Sequence, residues 1–103
     1  MTLAKKRIMD KITDLYNKSL KNIIEKWEIT TSPKVVKTEF VTIYVYPEYV
    51  AFIFGIEDKN YDIRNTSEIM INKSDGKVIL ATEHLGLLEK QYQLLRKVLI
   101  QII

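Results

Sequence analysis

The 103-residue chain has no cysteine, which excludes disulfides and thiolate metal centres. It has one histidine, His84, so no pair of imidazoles exists to hold zinc. Three glycines and two prolines are too few and too scattered for a P-loop, a dinucleotide fingerprint or a nucleophile elbow. No apolar run approaches the roughly 20 residues of a membrane-spanning helix. The first residues, MTLAKKRIMDKI, pass from charge straight into an amphipathic pattern, with no signal-peptide core. Without a secretion signal, the Asn-x-Ser matches at Asn17, Asn65 and Asn72 read as chance. The expectation is one domain over residues 1–103, cytoplasmic, with no cofactor, no metal and no evident small-molecule substrate.

What is present is core-forming. The chain is 47% hydrophobic and 10% aromatic, enough to exclude disorder. A domain of this length buries only about 60–70% of its unfolded surface, so further burial against a partner would add materially to its stability.

Residues 3–28 read as one amphipathic helix. Ile8, Ile12, Leu15, Tyr16, Leu20, Ile23, Ile24 and Trp27 share one half of a 3.6-period wheel. Thr30-Thr31-Ser32-Pro33 ends it, because the proline pushes Ser32 out of helical space. Two strands rich in β-branched and aromatic residues follow, about Val35–Tyr46 and Tyr49–Glu57, turning at Pro47-Glu48. A polar loop covers 58–66. Strands at about Ser67–Lys73 and Lys77–Thr82 flank Ser74-Asp75-Gly76, where glycine supplies the left-handed turn residue. Thr82 reads as the N-cap of a last helix over 83–103. Its stripe is Leu85, Leu88, Tyr92, Leu95, Leu99 and Ile102, widened by Leu87, Leu94 and Val98.

The element order is therefore α-β-β-β-β-α. The predicted fold is α+β: a four-stranded antiparallel meander packed against two helices as a two-layer sandwich.

The first hairpin raises the functional question, because it is apolar on both faces. Closed on Pro47-Glu48, its cross-strand partners sum to 95. One face then pairs Val45 with Val50, Ile43 with Phe52 and Val41 with Phe54, and suits the helices. The other pairs Tyr46 with Tyr49, Tyr44 with Ala51, Thr42 with Ile53 and Phe40 with Gly55. Three coverings are open for this second face: one helix on each side of the sheet, a second copy of the chain, or unstacked bases of a single strand. The expectation is a homodimer whose partner face comprises Phe40, Tyr44, Tyr46, Tyr49 and Ile53. The apolar chain end, Leu99-Ile100-Gln101-Ile102-Ile103, points the same way.

Charge supplies the alternative. The net charge is +3, and the whole surplus lies in residues 1–28, with seven basic and four acidic residues; residues 29–103 hold nine of each. Lys6, Arg7, Lys11, Lys18 and Lys21 form a basic helix side that suits nucleic-acid phosphates. Interleaved acids make a solvated, salt-bridged helix the preferred account.

Chemistry is hard to find. His84 reads as a partly packed residue of the capping region at the start of the last helix rather than a base. Glu57-Asp58-Lys59 has the Glu-x-Lys spacing of metal-dependent nucleases, but no convincing upstream aspartate completes it, and a polar loop explains it better. We expect a non-enzymatic protein that binds a macromolecule, either protein or nucleic acid.

Overall fold

The computed structural model describes residues 2–27, 34–39, 41–55 and 68–102. The chain begins with helix α1 (Leu3–Leu15), continues through a π-helical segment (Tyr16–Leu20) and resumes as α2 (Lys21–Trp27). Strands β1 (Lys34–Lys37), β2 (Val41–Val45), β3 (Tyr49–Phe54), β4 (Glu68–Asn72) and β5 (Val78–Leu80) follow, and helix α3 (Leu85–Ile102) closes the chain. The strands form one antiparallel sheet in the order β1-β2-β3-β4-β5.

The α+β class and the antiparallel meander agree with the sequence reading, but the sheet has five strands instead of four. The segment read as one strand, Val35–Tyr46, folds back on itself. Thr38 N–H donates to the Val41 carbonyl at 2.9 Å, and Thr38 Oγ1 accepts from Val41 N–H at 3.1 Å. A threonine side chain thus closes a tight turn that contains no glycine, proline or asparagine. The Pro47-Glu48 register holds as read, from Val41↔Phe54 to Val45↔Val50. Phe40, and with it the Phe40–Gly55 pairing, lies outside the described residues, as do the 58–66 loop, Glu57, Asp58 and Lys59.

The single helix expected over 3–28 is interrupted. Its buried apolar residues are Ile8, Ile12, Tyr16, Leu20 and Ile24, a constant spacing of four. On a regular α-helix each such step drifts by about 40°, so the stripe would rotate by about 160° from end to end. The π-helical turn takes more residues per turn and returns the stripe to the sheet. It also aims Asn17 at the β4–β5 turn, where Asn17 Nδ2 donates to the Asp75 carbonyl at 3.1 Å.

That turn is dense in side-chain bonds. Asn72 Oδ1 accepts from Ser74 N–H and from its hydroxyl, and Asp75 Oδ1 accepts from Lys77 N–H. Gly76 has φ +75°, the left-handed value that favours glycine.

Helix α3 starts two residues later than read. Thr82 is not its N-cap: Thr82 Oγ1 accepts from His84 N–H, and the His84 carbonyl takes the first helical bond, from Leu88 N–H. The buried stripe is also rotated. Leu87, Leu88, Gln91, Leu95 and Val98 are buried, Leu85 is exposed, and Tyr92, Leu94 and Leu99 are half-buried. The polar Gln91 breaks the apolar pattern at its centre and hid this geometry.

Both helical segments share one core with one face of the sheet. Ile12, Leu20, Leu88 and Leu95 join Ile43, Phe52, Phe54, Ile69 and Ile71 in a single buried cluster. Placing one helix on each face is therefore not the arrangement adopted. Lys5 meets Glu83 just ahead of α3, and Lys11 lies over the Tyr92 ring, 5.9 Å from its centroid, two turns into α3. The two helices thus run side by side in the same direction.

Glu83 is exposed, whereas Lys5 is buried. The hydrogen bond from Lys5, and then its charge, hold the Glu83 carboxyl below the ordinary value of 4.5. A depressed folded-state pKa means that the pair contributes fully above the unfolded value, and the contribution is lost as pH falls through the folded one. Thermal melts at a series of pH values should therefore show stability declining on acidification below 4.5. Glu83→Gln should flatten that decline; an unchanged slope would show that Glu83 does not contribute to it.

Candidate binding face

Strand alternation sends Val41, Ile43, Val45, Val50, Phe52, Phe54, Ile69 and Ile71 to the helices, and all are buried. Their neighbours point the other way. Registers across the sheet link Val35 to Tyr44, Tyr44 to Ala51, Ala51 to Met70 and Met70 to Leu80. These five residues make a continuous apolar row across all five strands, on the face that no described helix covers. Val35 is 46% exposed and Leu80 47%. Tyr44 and Met70 are half-buried, and the small Ala51 between them is buried at 3% exposure.

A parallel row runs Lys37–Thr42–Ile53–Glu68. On the other side lie Tyr46, Tyr49 and Asn72. The Tyr46 and Tyr49 rings stack with centroids 4.6 Å apart. Tyr46 N–H donates to the Tyr49 carbonyl, and the Lys73 ammonium donates to the Tyr46 carbonyl at 3.1 Å. Lys73 N–H also donates to the Glu48 carbonyl, so the hairpin tip is tied to β4 and the tyrosine pair is held in place.

The register between β4 and β5 slips at Met70/Ile71. This bulge leaves Ile79 unpaired beside Leu80 and 57% exposed. The whole face spans about 24 by 17 Å, on the order of 400 Å². Lys37, Thr42, Glu68 and Asn72 share the face, so its apolar part is the central row with Ile53, Ile79 and the tyrosine pair, a kind of surface patch that often serves an interaction.

Four of the five residues proposed for a partner face, Tyr44, Tyr46, Tyr49 and Ile53, come together here, while Phe40 lies outside the described residues. The hairpin alone did not reveal Val35, Met70 and Leu80. Their signal was pairing beyond the hairpin, which needed the turn at Thr38 and the β3–β4 register, and no short turn marks the latter.

The basic residues of the first helix are distributed differently. Lys11 and Lys18 line one cleft of about 270 Å³ with Asp14, Leu15, Ser19 and Tyr92. Lys6 lines another with Met9, Asp10, Thr13, Lys77 and Val78. Arg7 is exposed and Lys21 half-buried. An aspartate thus accompanies the lysines in each cleft. Lys5, absent from the candidate set, is the buried basic residue among the described ones.

His84 sits at the capping position of α3, where its carbonyl accepts the first helical bond, and it is exposed. Among the described residues no group of three or more histidines and carboxylates is placed to hold a metal ion, and no helix is long and apolar enough to cross a membrane. Comparison with protein-family models, with curated proteins and with solved structures gave no match.

Proposed function

We propose that the protein is a non-enzymatic binding protein that pairs with a second copy of itself through the open sheet face and engages a macromolecular partner in that form. The observation that carries this reading is the row Val35–Tyr44–Ala51–Met70–Leu80, apolar from edge to edge on the side away from the helices. Tyrosine and methionine are among the residues that interface centres enrich. A domain of this size gains proportionally more from such burial than a large one does.

A second reading is nucleic-acid binding through Lys6, Arg7, Lys11, Lys18 and Lys21. One observation favours it: Lys11 and Lys18 line the same cleft beside Tyr92.

Light scattering at micromolar concentration separates the two. The mass should be twice the 12.1 kDa chain mass. Tyr44→Ala should loosen the dimer by about tenfold or more, because it removes a large ring from the interface centre. Lys11→Ala and Lys18→Ala should leave the dimer unchanged. Steeply salt-dependent binding of mixed nucleic acid, losing about one unit of salt slope in Lys11→Ala while Tyr44→Ala leaves the dimer intact, would put the second reading first.

A further inference from the structure

We infer that the two copies meet about a two-fold axis running parallel to the strands and passing over Ala51. This register rests on the dimer proposed above. Three features of the open face support it.

The first is shape. Across the sheet the row reads Val35, Tyr44, Ala51, Met70, Leu80: branched aliphatic, large, small, large, branched aliphatic. In side-chain size it is a palindrome centred on the middle strand. An isologous interface requires such a surface, because each patch must fit its own copy. A two-fold axis along the strands reverses the row. Val35 then lies on Leu80 of the second copy, Tyr44 on Met70, and Ala51 on Ala51. Sulfur against an aromatic ring is a favourable contact.

The second is charge. Lys37 and Glu68 close the two ends of the neighbouring row. Neither makes an ion pair with a described residue. Within one chain they are three strands apart, about 14 Å, well beyond the roughly 4 Å of an ion pair. The same axis leaves Lys37 offset sideways from Glu68 of the second copy by only one strand spacing, so that the two long side chains face each other across the roughly 10 Å between the sheets, and it does so twice. A two-fold axis across the strands instead sets the Lys37 row against the tyrosine row, with both charges unanswered.

The third is flatness at the centre. Ala51 leaves the middle strand low between Tyr44 and Met70, so two sheets can approach to the usual spacing of about 10 Å, aligned within about 30°.

The test is a charge exchange at these two surface positions, read as a dissociation constant by sedimentation equilibrium at low salt, with circular dichroism confirming the fold of each variant. Lys37→Glu should weaken the dimer by about tenfold or more, because both symmetric pairs become repulsive. Glu68→Lys should do the same. The double variant should return to within about threefold of the wild type. An equimolar mixture of the two single variants should form a heterodimer as readily as the wild type self-associates, since both cross-copy contacts then join opposite charges.

A wild-type dimer that neither single change weakens, or that the double variant does not restore, overturns the axis and leaves the dimer standing. A wild-type chain that remains monomeric overturns both. Hetero-association of the two single variants has no source within one chain, so intramolecular repair cannot mimic it.

Discussion

Phe52→Ala will cost about 3–5 kcal/mol of folding free energy, read from urea unfolding followed by tyrosine and tryptophan fluorescence. Phe52 is fully buried on the central strand, with Ile43 and Ile69 as its cross-strand neighbours. It lies in the single cluster shared by both helices and the sheet, so no flexible edge is available to collapse into the space it vacates. A domain of this length has about 5–15 kcal/mol in total, so the variant should be largely unfolded at moderate urea. Tyr44 is the control: it lies on the adjacent strand but on the opposite face, and Tyr44→Ala should leave the monomer folded. Equal destabilisation by both changes would show that the helices do not divide the two faces of the sheet as described.

Gly76→Ala is expected to cost about 2–3 kcal/mol, from two separable causes. The backbone at φ +75° carries a penalty of about 1–2 kcal/mol for a residue with a Cβ. That Cβ would also stand 2.5 Å from Asn17 Oδ1, so the Asn17 side chain must leave, taking its bond to the Asp75 carbonyl, worth about 1 kcal/mol. Asn17→Ala removes the second cause and leaves the first. The double variant should therefore be less destabilised than the sum of the two single changes, by about 1 kcal/mol. Strict additivity would mean that the π-helical segment does not press on this turn.

What could be read in advance differs from element to element. The β2–β3 register was legible because a proline-containing turn fixed its phase and the alternation has period two. The extra hairpin was not, because its turn is closed by the hydroxyl of Thr38 and carries no residue that marks a turn by backbone preference. The π-helical segment left a trace that a 3.6-period wheel smooths away: Ile8, Ile12, Tyr16, Leu20 and Ile24 repeat every four residues. Gln91, fully buried, displaced the reading of α3 because polarity was taken as exposure. For the candidate face, the tyrosines stood out in the hairpin, whereas Met70 and Leu80 joined them only through a register that spans the 56–67 segment.

The two borders of the sheet differ from its open face. At one border β1 begins and ends in exposed lysines, Lys34 and Lys37; at the other β5 is three residues long and pairs with β4 through a bulge. Charged ends, short strands and bulges all discourage another strand from adding on. Copies are therefore steered away from joining border to border into a ribbon that could lengthen without limit. A face-to-face pair about a two-fold axis, by contrast, uses up its own contact surface. In the dimer proposed above, the face that no described helix covers would thus be consumed by a single partner, and assembly would end at a closed pair.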